Sequence, residues 1–117
     1  MQPLRSVLMA FAERADVAAA IVVSDDGLVV ESSLPADLDA EELAALTTSA
    51  GRAIGDLGRA ARIGELAQGV VDGAHGVLVL QRLPSRATLL VLAAPDSDLG
   101  TLLYDLRRHA PALVSLL

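Results

Sequence analysis

The sequence predicts a three-layer α/β domain built around one five-stranded antiparallel sheet, with the element order α-β-β-α-β-β-β-α. Apolar stripes at helical spacing occur near the start, in the middle and near the end of the 117 residues. Short apolar, β-branched runs lie between these stripes, and tight turns rich in Gly, Pro and Asp join most of the runs. Short connections favour antiparallel pairing, and the length favours a single domain over residues 1–117.

The first helix is predicted from residue 4 to about residue 15, ending at Asp16. Its apolar stripe comprises Leu4, Val7, Leu8, Phe11 and Ala15. The apolar run 18–24 is predicted to be a strand buried on both faces. In the turn 25–27, Gly27 supplies the positive φ and the aspartates accept from nearby backbone N–H groups, and residues 28–33 form the returning strand.

The second helix is predicted from about Ala40 to about Ala61, with Asp39 as its N-cap and Glu42 completing a capping-box-like pair. Its apolar stripe comprises Leu43, Leu46, Ala50, Ala53, Ile54, Leu57 and Ala61. A neighbouring face carries small residues at helical spacing: Ala44, Thr48, Gly51, Gly55 and Gly58. Because each Gly costs roughly 1 kcal/mol of helix propensity, this face predicts close approach of another backbone. Two interpretations stay open: tight packing on the chain's own sheet, or a symmetric contact between helices of two subunits.

Three more strands are predicted at residues 66–72, 77–83 and 87–94, with turns at 73–76 and 84–86. A final helix is predicted after the N-cap candidates Asp96, Ser97 and Asp98, and Pro111 is expected to kink or end it. Its apolar stripe comprises Leu99, Leu102, Leu103, Leu106, Ala110 and Leu113.

The composition restricts the available chemistry. The net charge is −6, and all nine basic residues are Arg, so the chain is a poor match for nucleic acid or an anionic membrane surface. The absence of Lys excludes a standard Walker A loop and a Schiff-base mechanism, and the absence of Cys excludes disulfides, thiol nucleophiles and Cys-based zinc sites. No apolar run approaches the ~18 residues of a membrane span, and the start is not a convincing signal peptide. We therefore expect a cytoplasmic protein.

The core is predicted to be modest. The chain is 53% hydrophobic but only 2% aromatic, so Leu, Val, Ile and Ala must build its interior. Alanine contributes little buried area, and the isolated chain is therefore expected to be marginally stable and to gain from pairing with a second copy.

Few residues point to catalysis or to metal binding. His75 lies three residues after Asp72 in a predicted turn, which leaves a small hydrolase using this pair as a remote alternative. His109 is expected to complement the end of the last helix. The glycines of 51–58 lie within a helical stripe rather than in a phosphate loop, and 25–27 lacks the oxygen spacing of a calcium loop. The sequence predicts no enzymatic activity, no cofactor and no metal.

The order of these motifs resembles the Roadblock/dynein-light-chain family. The stretch 22–32 is similar to the family's first hairpin, with an acid-Gly turn between two apolar strands. The long helix of small residues and the strands 76–80 and 89–93 follow in the family's order, and 98–108 is similar to its closing helix. The chain departs from the family pattern in having Asp98 where Asn is common. The resemblance covers nearly the whole chain and implies a Roadblock/profilin-like fold.

The resemblance also implies a homodimer in which sheets join edge to edge through the third strand and the long second helices pair. The interface candidates are Ala44, Thr48, Gly51, Gly55, Gly58, Val70 and Val71. The function it implies is a non-enzymatic adaptor or regulator that binds a small Ras-like GTPase, without nucleic acid and without membrane insertion. The alternative is a small-ligand or peptide-binding sensor module of profilin-like or PAS-like type, against which the low aromatic content counts.

Overall fold

Three helices and five strands follow one another in the predicted order. The computed structural model describes residues 4–84 and 86–115, so Ser85 of the predicted turn lies outside the described residues. The elements are α1 (Leu4–Ala12), β1 (Val17–Ser24), β2 (Val29–Ser33), α2 (Ala40–Ala60), β3 (Gln68–Gly73), β4 (Gly76–Leu83), β5 (Ala87–Ala93) and α3 (Leu99–Ser115). Most boundaries lie within two residues of the prediction.

The strands form one five-stranded sheet in the order β2-β1-β5-β4-β3, and every neighbouring pair is antiparallel. Strands β1 and β5 lie side by side near the middle, where almost all of their side chains are buried. Strands β2 and β3 form the two edges. Helices α1 and α3 cover one face and α2 covers the other, which confirms the three-layer prediction.

The face under α1 and α3 holds the larger part of the core. Leu8 and Phe11 of α1 pack with Leu102 and Leu106 of α3 against the strands. The Phe11 and His109 rings form a T-shaped pair, with centroids 5.5 Å apart and planes at 86°. The side chains of Leu4 and Val7, which the sequence placed in the same stripe, lie outside the described residues.

Helix α3 differs from the prediction at its end. It continues through Pro111 to Ser115, so Pro111 does not end it. His109 therefore lies inside the helix beside Phe11 rather than in its last turn, and the prediction that it complements the helix terminus is wrong.

An arginine links α1 to α3, and an aspartate caps the start of α3. Arg14, just after α1, donates to Asp16 and to Asp105 of α3. Burial opposes the charge on Arg14, but these two partners outweigh it and raise the pKa of the guanidinium. Asp98 caps α3, because the Thr101 backbone N–H and hydroxyl donate to its carboxylate at 3.2 and 2.8 Å. These hydrogen bonds lower the pKa of Asp98.

The face of α2 that meets the sheet is the face of small residues. Ala44 is fully buried against a second cluster that includes Ile21 and Leu90. Two members of the predicted apolar stripe, Leu43 and Ile54, are partly buried against this cluster, whereas the others are exposed: Leu46, Ala50, Ala53, Leu57 and Ala61. The stripe is therefore divided between the core and the surface.

Both ends of α2 are closed by specific hydrogen bonds. The Asp39 carboxylate accepts from the backbone N–H groups of Glu41 and Glu42 at 3.0 and 3.2 Å, which confirms Asp39 as the N-cap. The reciprocal bond from the Asp39 N–H to the Glu42 carboxylate is not found among the described residues. At the other end, the Ile63 N–H donates to the Gly58 carbonyl at 2.9 Å and the Arg62 N–H donates to the Arg59 carbonyl at 3.0 Å. This is a Schellman motif, and Arg62 occupies its left-handed position with φ 62°.

Candidate functional site

A cleft of about 370 Å³ opens between α2 and the sheet, at the end where β1 and β4 finish and β5 begins. Its walls are mostly polar and combine three arginines, two acids, four hydroxyl side chains, two glycines and one leucine. They are Ser24, Asp25, Thr47, Thr48, Gly51, Arg52, Gly55, Arg59, Glu65, Leu66, Arg82 and Thr88. The cleft supplies the space that a ligand-binding module requires, but without the aromatic lining that is usual for ligand pockets.

Three glycines of α2 have different surroundings. A Cβ built on Gly58 would lie 2.5 Å from the Gly64 carbonyl oxygen, so the connection after α2 leaves no room for a side chain there. A Cβ on Gly55 would meet only the Arg59 guanidinium, at 3.5 Å, and a Cβ on Gly51 would meet no heavy atom within 4 Å. The close backbone approach predicted from the sequence is therefore found at Gly58, within the same chain.

Arg82 of β4 joins two walls of the cleft. Its Nη1 donates to Asp25 Oδ1 at 2.7 Å, to Thr88 Oγ1 at 2.9 Å and to the Ala87 carbonyl at 3.2 Å. The carboxylate of Asp25 therefore ties the β1–β2 turn to β4. Among the described residues, no backbone N–H donates to the Asp25 or Asp26 side chain, so the predicted local role of these carboxylates is not found. Gly27 has φ 83°, as the turn prediction required.

The α2 wall carries the other two arginines. Arg59 donates to Asp56 at 2.5 Å on the exposed side of the helix. No ion pair to Arg52 occurs within residues 4–84 and 86–115, and its side chain lines the cleft. Thr47 also lines the cleft and is only 7% exposed. The neighbouring Thr48 hydroxyl donates to the Ala44 carbonyl at 3.1 Å, whereas no such bond from Thr47 is found in the described part of the chain.

A second candidate surface is apolar and lies at the β3 edge of the sheet. Val70 and Val71 are 43% and 51% exposed, although consecutive strand residues point to opposite faces of a sheet. Val71 pairs with Leu78 on the face covered by α2, and Val70 pairs with Val79 on the face covered by α1 and α3. Neither face of this strand is therefore well covered by the chain itself.

The predicted interface residues do not share one environment. Ala44 and Gly58 are buried in the chain's own interior, Gly55 is buried but lines the cleft, and Thr48 and Gly51 are half-buried at the cleft. With a side chain that is 0% exposed, Ala44 has no surface left for a second chain. Val70 and Val71, together with the outer residues of α2, keep exposed apolar surface. A role for any of them in dimerisation stays a prediction.

The residues weighed for catalysis lie elsewhere. Asp72 and His75 are both exposed at the β3–β4 hairpin, and neither lines the cleft. Within the described ranges, no three His, Cys, Asp or Glu side chains are grouped closely enough to hold a metal ion. Among these same residues, no helix combines the length and the apolar character needed to cross a membrane.

The sequence reasoning missed Arg52, Arg59 and Arg82 as a group. Arg52 and Arg59 follow one face of α2, but Arg82 and its partner Asp25 are 57 residues apart in the chain. Only the sheet topology brings these groups together, since no local spacing links them.

The five-stranded antiparallel sheet between α2 and the α1–α3 pair defines a small three-layer α/β class of domain. The family model described as the Roadblock/LC7 domain matches residues 5–93, and the chain belongs to this family. It is 29% identical over 104 residues to the uncharacterized protein MJ0310 of Methanocaldococcus jannaschii, covering 89% of this chain and 90% of that protein.

Solved structures show the same fold. Myxococcus xanthus MglB superposes with a TM-score of 0.90 at 21% identity, covering 97% of this chain and 93% of that chain. A Roadblock/LC7 domain from Streptomyces avermitilis superposes with a TM-score of 0.86 at 24% identity, covering 96% of this chain and 95% of that chain. The predicted family and fold are thereby confirmed.

Proposed function

We propose that this protein is a non-enzymatic, homodimeric adaptor that binds a small Ras-like GTPase in the cytoplasm and modulates its activity or location. The observation that carries the proposal is the open edge of β3, where Val70 and Val71 leave apolar surface on both faces of the sheet. An uncovered edge strand is a template for adding another strand, and a second copy supplies an identical one.

The outer face of α2 supports the same assembly. Leu46 and Leu57 are exposed on this helix, and Ala50 and Ala53 lie between them along one face. The chain's own packing leaves these four residues exposed. A symmetric pair of α2 helices from two copies would bury them. Because Val71 lies on the α2 side of the sheet, edge pairing and helix pairing can occur in one two-fold contact.

The assembly is tested with the substitution Leu57→Asp. A carboxylate in the paired helices would be desolvated, so we expect the population to move from dimer toward monomer by multi-angle light scattering at micromolar concentration. Leu28→Asp is the matched control, since Leu28 is 66% exposed and Leu57 67%, and Leu28 lies at the β1–β2 turn. A fully dimeric Leu57→Asp variant, or a monomeric parent protein, would contradict the α2 contact.

The GTPase partner is inferred from the family resemblance, and the net charge of −6 suits a partner with a basic docking surface. The purified protein is mixed with a small Ras-like GTPase from the same genome, loaded with GDP or with a slowly hydrolysed GTP analogue. We expect a complex on gel filtration and a changed rate of hydrolysis or nucleotide exchange. Absence of both with every Ras-like GTPase of that genome would refute this part, whereas the dimer is tested independently of it.

A further inference from the structure

We propose that the cleft beneath α2 binds a small oxyanion, the phosphate or carboxylate group of a small molecule, through Arg52, Arg59 and Arg82. This goes beyond the adaptor function and does not depend on it. Guanidinium groups present paired N–H donors whose spacing matches two oxygens of a phosphate or a carboxylate. Three of the nine arginines of an otherwise acidic chain line this one cleft.

The shape of the α2 wall supports a ligand. Gly51 and Gly55 lie in the interior of a helix, where Gly is unfavourable, yet the chain's own packing does not use the room that they leave. A side chain at Gly51 would meet nothing within 4 Å, and at Gly55 it would meet only the movable end of Arg59. The glycines therefore keep open a volume of about 370 Å³, which lies in the range of small-molecule sites.

Thr47 adds a further hydrogen-bond donor to the α2 wall of the cleft. Its side chain is more than nine-tenths buried and lines the cleft, while no hydrogen bond from its hydroxyl is found in the described part of the chain. The Thr47 oxygen is not among the fully buried side-chain atoms that lack a partner, so it is accessible from the cleft, where an oxyanion would accept its hydrogen. Thr47 and Arg52 therefore offer donors to a ligand oxygen from the same helix.

Carboxylates of the chain already bind two of the three arginines, so a ligand must compete with them for those guanidinium groups. The Asp25 carboxylate accepts from Arg82 Nη1 at 2.7 Å and from Arg82 Nη2 at 3.4 Å, and the Asp56 carboxylate accepts from Arg59. Glu65 adds a second carboxylate to the walls. Arg52, without an ion pair in the described residues, is the arginine that an incoming anion meets first, and Arg59 and Arg82 complete the site by sharing their remaining N–H groups.

The proposal is tested by titrating the full ¹⁵N-labelled chain with inorganic pyrophosphate and, separately, with citrate, while following amide chemical shifts. Sodium chloride at matched ionic strength is the control for screening. We expect saturable shifts confined to amides around the cleft. Saturation with pyrophosphate alone assigns a phosphate ligand, saturation with citrate alone assigns a carboxylate ligand, and both support the site. Shifts that only follow ionic strength, in both titrations, overturn it.

Variants separate the site from general charge effects. Arg52→Gln is expected to weaken binding by about tenfold or more, because it removes a charge-assisted donor pair. Arg108→Gln makes the same charge change on the exposed surface of α3 and is expected to leave binding unchanged. Equal weakening in both variants would overturn the proposal.

Gly51→Leu tests the space itself. Its Cβ has open surroundings and its helix propensity is better than that of Gly, so the variant is expected to fold and to lose saturable binding. Dispersed amide spectra establish folding directly. A folded Gly51→Leu variant that binds as tightly as the parent would show that the cleft is not the site.

Discussion

The close backbone approach at Gly58 can be tested by whether an alanine there raises or lowers the free energy of unfolding. Replacing Gly58 with alanine would place a methyl group 2.5 Å from the Gly64 carbonyl oxygen. That is roughly 1 Å inside ordinary van der Waals contact, and the obstacle is backbone rather than a movable side chain. Gly64 has φ 93°, and the Gly58 carbonyl accepts the Ile63 N–H, so the end of the helix cannot shift without losing its cap.

The magnitude follows from two opposing terms. Alanine in place of glycine gains roughly 1 kcal/mol of helix propensity, whereas overpacking against a fixed group costs about 1–3 kcal/mol and the damaged cap adds to that cost. We therefore expect Gly58→Ala to lower the free energy of unfolding by about 1–2 kcal/mol. Gly51→Ala has the same propensity gain and no obstacle within 4 Å, so it is expected to raise that free energy by about 1 kcal/mol.

The measurement is urea denaturation followed by circular dichroism, with all variants at one protein concentration because self-association would shift the midpoints. The two variants should differ by about 2–3 kcal/mol in free energy of unfolding, a gap well outside the extrapolation error. Gly58→Ala as stable as Gly51→Ala would refute the claim that the tight approach is intramolecular. A destabilised Gly51→Ala would show that another chain fills the open space, as in the helix-pairing interpretation of this face.

Three further substitutions probe other parts of the fold. Arg62→Gly is expected to raise the melting temperature and to add up to about 1 kcal/mol, because glycine adopts the left-handed position of the Schellman motif without strain; an unchanged or lower melting temperature would contradict this. Leu106→Ala removes a fully buried side chain and should cost about 2–5 kcal/mol in urea denaturation, and a loss well under that would show that the core beneath α3 can collapse. Asp98→Ala should lower the melting temperature at neutral pH. Hydrogen bonds from Thr101 lower the folded-state pKa of Asp98 below its ordinary value of 3.8, so its contribution is present above that pH and declines as the pH falls through the folded-state pKa; a difference that does not shrink on acidification below pH 3.8 would argue against the cap.

The sequence predicts the fold well because its signals are local. Asp39 marks the start of α2 to the residue, since a capping side chain acts on the N–H groups that immediately follow it. The acid-Gly turn and the strand lengths are likewise set by neighbouring residues. Once the helices and strands are recognised in order, short connections between them allow only a few topologies. The antiparallel sheet between two helical layers is one of these.

The orientation of α2 was harder to predict because two of its faces are suited to burial. The apolar stripe offers more area, yet the small residues allow the closer approach, and Ala44 lies against the sheet while Leu46 and Leu57 face outward. In α2, the packing of the whole chain decides between two faces that the local pattern leaves equivalent. Pro111 is expected to kink or end the last helix, but α3 continues beyond it to Ser115, so Pro111 does not end the helix.

The cleft could not be predicted because its members come from four separate elements. Arg82 on β4 meets Asp25 at the end of β1, and Arg52 approaches from α2, so their proximity depends on the strand order. Each is an ordinary surface residue when considered alone. A feature of this kind becomes visible only when the third dimension is known, which is why the sequence indicated an adaptor and gave no sign of a polar cavity.

The open edge of β3 also affects how the protein must be made. Its six residues carry a single charge, Asp72, and none of the Lys or Pro residues that keep an edge strand from joining foreign strands. If the proposed homodimer forms through this edge, a newly synthesised chain that has not met its second copy exposes a site for mispairing, and the fraction of such chains rises on dilution by mass action. Aggregation and turnover of this protein should accordingly depend on the lifetime of the unpaired chain. Synthesis of two copies close together would shorten that lifetime.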